Sequence, residues 1–159
     1  MDRRAWSDEE MILSLDLYYK LPFGRLNQHT PEVRELASLI GRTPSSVALR
    51  LVNYAACDPY IVNSGRRGMV SGIGKCKPFW DHYADNTEEL FLQAENIRAS
   101  LLAKPVEEIL QLNSTDFIGQ EKEAVIKQRI NQNAFRAVIL ANYNEQCAIS
   151  GICIPQLLI

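Results

Sequence analysis

The 159-residue chain holds only two histidines, His29 and His82, each isolated from any cysteine or carboxylate cluster at metal-ligand spacing. That argues against a clustered metal centre and leaves both as surface or internally satisfied side chains. Cysteine is sparse as well. Cys57, Cys76, Cys147 and Cys153 contain no Cys-x-x-Cys pair, which removes the usual zinc and dithiol patterns. Cys147 and Cys153 flank a turn signal and can meet across a hairpin, although free thiols are the simpler expectation in a reducing compartment. No apolar run approaches the ~20 residues of a membrane-spanning helix, and the charged start, Met-Asp-Arg-Arg-Ala-Trp-Ser-Asp-Glu-Glu, is unlike a secretory signal. A cytoplasmic protein with no membrane partner is expected. Gly72-Ile73-Gly74 lacks the helix signal that follows a phosphate-binding loop. No Ser/His/Asp or Cys/His arrangement suggests nucleophilic catalysis.

An excess of charge of either sign is also missing, since the net charge is only −2. Its distribution is uneven: +3 over residues 1–77, −7 over 78–126 and +2 over 127–159. The stretch from Arg25 to Lys75 holds seven basic and three acidic residues. Attraction to phosphates is screened over roughly 8–10 Å, so a basic face can work on an acidic protein.

What is present is a series of helix signals. Ser7-Asp8-Glu9-Glu10 is a capping box that starts a helix running to about Lys20, and Leu21-Pro22-Phe23-Gly24 breaks it. Thr30 and Pro31 open a second helix with Val33, Leu36, Ala37 and Ile40 as its buried stripe. Gly41 stops it. Thr43 and Pro44 cap a third, which runs to about Ala55 with Val47, Ala48 and Leu51 inward and Arg42, Ser45, Ser46, Leu49, Arg50 and Asn53 outward. Asp58-Pro59 ends that unit. A capped helix entered through a Gly turn is what a helix-turn-helix places in the major groove, and it is also how many helices that bind nothing begin.

Ser64, Gly65, Gly68, Ser71, Gly72 and Gly74 alternate with Arg66, Arg67, Lys75 and Lys77 in a flexible basic loop. It suits either a phosphate backbone or plain solvent. Phe79, Trp80 and Tyr83 open a fourth helix, which Thr87 restarts toward Leu102. Being acidic, that segment suits packing or dimerisation better than DNA. A polar linker with a short helix from Val106 to Leu112 follows, then a helix over Gln128 to Tyr143. Cys147 to Ile154, β-branched around Gly151, signals a hairpin. The apolar run Pro155 to Ile159 is unlike the loose polar end expected of a natural terminus. The expected segments are a helix-turn-helix (1–59), a basic loop (60–77), an acidic helical segment (78–104), a linker (105–126) and a final unit (127–159).

Two blocks carry a resemblance. Ala5-Trp6-Ser7-Asp8-Glu9-Glu10 with the Leu39 to Val47 turn looks like a Myb/SANT-type helix-turn-helix. Leu17 to Gly24, Gly41 to Ala48, Asn53-Tyr54-Ala55 and Asp58-Pro59 resemble, more closely, the N-terminal region of bacterial HNH endonucleases of the restriction type. Arg129-Ile130-Asn131-Gln132, Phe135-Arg136, Tyr143 and Cys147 to Gly151 resemble the helix and first hairpin strand leading into the HNH core of the same family. The resemblance implies a mainly α protein: a tri-helical bundle, further helices, and a short C-terminal β-hairpin that begins a ββα-metal unit. It implies a parent activity of metal-dependent DNA hydrolysis, with a divalent ion such as Mg in the complete nuclease. The family's catalytic His and metal ligands would follow Leu158-Ile159, so this chain is expected to hold no cofactor, to be catalytically incomplete, and to bind double-stranded DNA. Arg42, Thr43, Ser45, Ser46, Arg50 and Asn53 would face the duplex, Arg50 and Asn53 at base edges. Arg25, Arg66 and Arg67 would add backbone contacts. The alternative is a protein-interaction or homodimerisation module with no DNA role.

Overall fold

The computed structural model describes residues 4–113 and 118–153. Helices dominate it: α1 (Asp8–Lys20), α2 (Pro31–Leu39), α3 (Pro44–Ala55), α4 (Pro59–Asn63), α5 (Ile73–Tyr83), α6 (Thr87–Leu102), α7 (Val106–Ile109) and α8 (Gln120–Asn142), with a 3-10 turn at Phe23–Arg25.

The first helix is the spine. The Ser7 hydroxyl accepts from the Glu10 N–H at 3.2 Å and Glu10 accepts from the Ser7 N–H at 2.9 Å, completing the capping box. Apolar side chains lie on nearly every side of α1, so it cannot serve as a surface helix. Met11, Ile12, Leu13, Leu15, Leu17 and Tyr18 are all buried, and α1 packs against α2, α3, α5, α6 and α8. One apolar cluster runs from Met11 through Tyr54, Trp80 and Leu90 to Ala134. The Tyr54 hydroxyl donates to the Met11 carbonyl at 3.0 Å and ties α3 to the spine.

Asp16 sits on the spine with 0 % exposure. Lys20 reaches it at 2.7 Å and Arg98 of α6 at 2.5 Å, while Glu95 binds Arg98 at 2.6 Å. Burial alone would raise the Asp16 carboxyl, but the charges of Arg98 and Lys20 outweigh it and hold Asp16 below its ordinary value. The acidic helix α6 is thus drawn onto α1 by both charge and apolar packing, with Leu90, Phe91 and Ala94 buried.

The turn between α2 and α3 closes as a Schellman motif. The Arg42 N–H donates to the Ala37 carbonyl at 2.9 Å and the Gly41 N–H to Ser38 at 3.4 Å, with Gly41 at φ 65°. Thr43 then caps α3, its hydroxyl accepting from the Ser46 N–H at 3.2 Å. Thr30 does not cap α2 in this way, because its hydroxyl instead donates to the Arg25 carbonyl at 2.6 Å.

Three sequence expectations are revised. The C-terminal β-hairpin is not formed: the described residues contain no strand. Residues 147–153 are a turn in which the Cys147 N–H donates to Ile152 at 2.9 Å and the Gly151 N–H to Cys147 at 3.0 Å. Ile149 is 98 % exposed, so no burial drives its alternation into a ladder. Of the second arm expected, Ile152 to Ile154, Ile152 and Cys153 form no strand, and Ile154 lies outside the described residues. The loop from 60 to 77 contains α4 and the start of α5, and α8 begins at Gln120, eight residues earlier than its periodicity suggests.

Candidate nucleic-acid interface

The residues expected to face DNA divide into two groups. Arg42 turns inward. Its guanidinium lies 4.3 Å from the Trp6 ring, donates to Glu10 at 2.7 and 3.1 Å, and donates to the Ala5 carbonyl at 2.7 Å. Arg4 pairs with Glu10 from the other side and donates to the Ile40 carbonyl at 2.9 Å. Burial pushes Glu10 up, but the Arg42 hydrogen bond, the Ser7 N–H and the charges of Arg42 and Arg4 together hold its carboxyl below the usual value. A cation on an indole face beside a shielded carboxylate has its donors already used.

Arg50 is only 8 % exposed, which corrects the outward placement read from sequence. Its guanidinium lies 4.7 Å from Trp6 and donates to the Cys76 sulfur of α5 at 3.5 Å. The cause is visible in the spacing: Val47, Arg50, Leu51 and Tyr54 follow i, i+3, i+4, i+7, so Arg50 lies on the core stripe. Asn53, at 2 % exposure, is likewise inside. Its amide donates to the carbonyls of Met69 at 2.8 Å and Ser71 at 2.7 Å, pinning the basic loop to α3. Neither side chain is free to read a base edge.

Arg25 is spoken for as well. It holds Glu32 at 2.7 and 2.9 Å and Glu145, just past α8, at 2.7 Å. It joins the 3-10 turn to α2 and to the end of α8, in place of the backbone contact expected of it.

The second group is exposed. Thr43 and Ser45 face solvent, Ser46 is half-buried, and the Thr43 and Ser45 hydroxyls lie 3.1 Å apart. No acidic residue occupies the first turn of α3, leaving its positive end unopposed. Arg66 and Arg67 are exposed. The loop that carries them runs directly over the end of α3. The Met69 N–H donates to the Val52 carbonyl at 3.1 Å, and a Cβ on Gly68 would stand 2.2 Å from the Ala56 nitrogen. From Ser45 to Val52 is seven residues, or about 10 Å of helix. That is close to the ~12 Å width of a major groove. The hydroxyls thus stand at one end of α3 and the loop that carries Arg66 and Arg67 crosses the other. Lys75 is exposed in the first turn of α5.

No set of three His, Cys, Asp or Glu side chains able to hold a metal occurs among the described residues. His29 and His82 stand apart on the surface. All four cysteines are free thiols. Cys147 is drawn down to about 7 by hydrogen bonds from Ser150 and neighbouring backbone N–H groups, whereas burial pushes Cys57 up to about 11. No described helix is long and apolar enough to cross a membrane.

Sequence reading missed a groove between the end of α1, α4 and the end of α8. It encloses about 660 Å³. Tyr18, Tyr19 and Phe23 lie on its α1 side, Tyr60 on α4 and Tyr143 past α8. The run Leu17 to Phe23 is dense in rings, but nothing local shows that Tyr60 and Tyr143 join it.

No family model matches the chain, and no curated protein or solved structure is similar to it at a meaningful level.

Proposed function

We propose that the protein binds double-stranded DNA through the leading turn of α3 and the loop that follows α4. The observation that carries this reading is the pairing of Thr43, Ser45 and Ser46 at the open end of α3 with exposed Arg66 and Arg67 over its other end. Hydroxyls, helix N-termini and guanidiniums are the groups that hold DNA backbones in register. Arg42, Arg50, Asn53 and Arg25 support the bundle that presents this face.

Within the proposal, the resemblance to HNH endonucleases supports reading the chain as the DNA-holding part of a metal-dependent nuclease of the restriction type. The described residues do not bring together ligands for a divalent ion. No hydrolytic step is therefore assigned to them.

A second reading rests on Leu49, Met69 and Val70, which are exposed on or beside α3 and suit a protein partner, a second copy included. Salt separates the two. Anisotropy of a labelled blunt duplex, titrated with the full chain at rising salt, should show affinity falling steeply, with a log–log slope of about −0.9 per phosphate engaged. Failure to bind the duplex at low salt, together with salt-insensitive self-association, would favour the protein partner and overturn the DNA reading.

A further inference from the structure

The groove at the end of α1 has a composition that the duplex reading does not use. Tyr19 is stacked on Trp80 at 5.6 Å with 14° between the planes, and Tyr18 meets Tyr19 edge-on at 5.9 Å. These rings are therefore held rigidly by the core. At the rim, Tyr60 is 72 % exposed and Tyr143 is also exposed. Rings in such positions offer flat apolar faces at small entropic cost.

Polar groups are few and placed. Asp58 accepts from the Tyr18 hydroxyl at 2.7 Å and from the Tyr60 N–H at 2.9 Å, so one carboxylate fixes both the floor and the rim. Burial, with the hydrogen bond to Asp58, pushes the Tyr18 phenol up and keeps it protonated. Arg66 lines the groove with its guanidinium 5.5 Å from the Phe23 ring, and no carboxylate pairs with it among the described residues. Its neighbour Arg67 is exposed. Stacking faces beside unpaired guanidiniums match a base and its phosphate. The volume lies within the range of ligand-sized clefts.

Arg66 also belongs to the loop that lies over the end of α3, so the groove and the proposed duplex face share that loop. We infer that the groove binds an unpaired nucleotide, its base against the Tyr60 and Tyr143 rings and its phosphate at Arg66. This extends the DNA reading above, and its occupant is a strand end or displaced base adjoining the bound duplex. A free mononucleotide has the same chemistry and serves as the second arm of the test.

The experiment compares a labelled blunt duplex with the same duplex bearing a six-thymidine overhang, titrated with the full chain. The overhang should tighten binding on the order of tenfold. Tyr60→Ala should remove that gain and leave the blunt duplex unchanged, while Tyr60→Phe, which keeps the ring, should retain it. Because Tyr60 is so exposed, the variants should melt with the wild type. Excess dTMP that erases the gain would place a nucleotide in the groove directly. Equal affinity for the two duplexes, or equal losses on both in Tyr60→Ala, would overturn the inference. Failure to bind the blunt duplex while the overhang still binds would instead overturn the α3 reading alone.

Discussion

Arg42 and Arg50, around the turn into α3, carry the same guanidinium as Arg66 and Arg67 in the loop over its far end, yet their positions are opposite. The first pair lies on Trp6, Arg42 held by Glu10 and backbone carbonyls and Arg50 buried against Cys76. The second pair meets no carboxylate among the described residues and is exposed, Arg66 with its guanidinium 5.5 Å from the Phe23 ring. The difference teaches that an arginine's duty depends on what its stem packs against. A nearby ring and a shielded carboxylate turn a cation into a clamp, and a glycine-rich loop leaves it available.

The comparison can be broken in several ways. The largest effect is expected where charge is most deeply buried. Asp16→Ala strands Lys20 and Arg98 against α1 and should cost about 3–5 kcal/mol. In thermal melting followed by circular dichroism, that is a fall on the order of 10 °C. Arg42→Ala comes next. It removes the main partner of Glu10 and bares Trp6, for a loss of about 2–4 kcal/mol by the same assay. Melting of Arg42→Ala at the wild-type temperature would show that the inward arginines are not clamps.

Acid should weaken the inward group. Glu10 and Asp16 both have carboxyls held below their ordinary values of 4.5 and 3.8. Their contribution is complete above those values and is lost as pH falls through the lower folded-state values. Urea unfolding between pH 6 and pH 2 should therefore show stability declining below about pH 4. Glu10→Gln should be less stable at neutral pH and show a shallower decline. A Glu10→Gln curve parallel to the wild type would remove Glu10 from the account.

The smallest effect concerns reactivity rather than stability. Cys147, near 7, is largely thiolate at pH 8, while Cys57, near 11, is not. Brief alkylation of the native chain followed by peptide mass mapping should label Cys147 well ahead of Cys57. Equal labelling would contradict the turn geometry around Ser150.

Much of the helical framework was legible because its signals are local. Ser7 with Glu10, Gly41, and Thr43 with Pro44 each satisfy backbone groups within a few residues of themselves. The start of α5 was hidden by Gly72 and Gly74 and by Pro78 inside the helix, features that ordinarily mark a loop. Burial of Asn53 was not legible at all, because the loop that covers it arrives from sixteen and eighteen residues away. Arg50 is legible in principle, since its spacing places it on the apolar stripe, although its charge alone points outward. The hairpin failed for the opposite reason: its local signal was clear, and no partner surface is present among the described residues to bury Ile149. In the candidate site, the exposed hydroxyls and the basic loop followed from sequence, whereas the aromatic groove depends on three separated segments.

The central claim is that the outward arginines hold DNA and the inward ones hold the fold. It is tested most directly by measuring duplex affinity and melting temperature together for Arg66→Ala/Arg67→Ala. The account expects melting to stay near the wild-type temperature, a change within about 0.5 kcal/mol. It expects duplex affinity at low salt to fall on the order of tenfold, with the salt slope reduced by about two. Wild-type affinity with an unchanged slope in a fully folded double variant would contradict it.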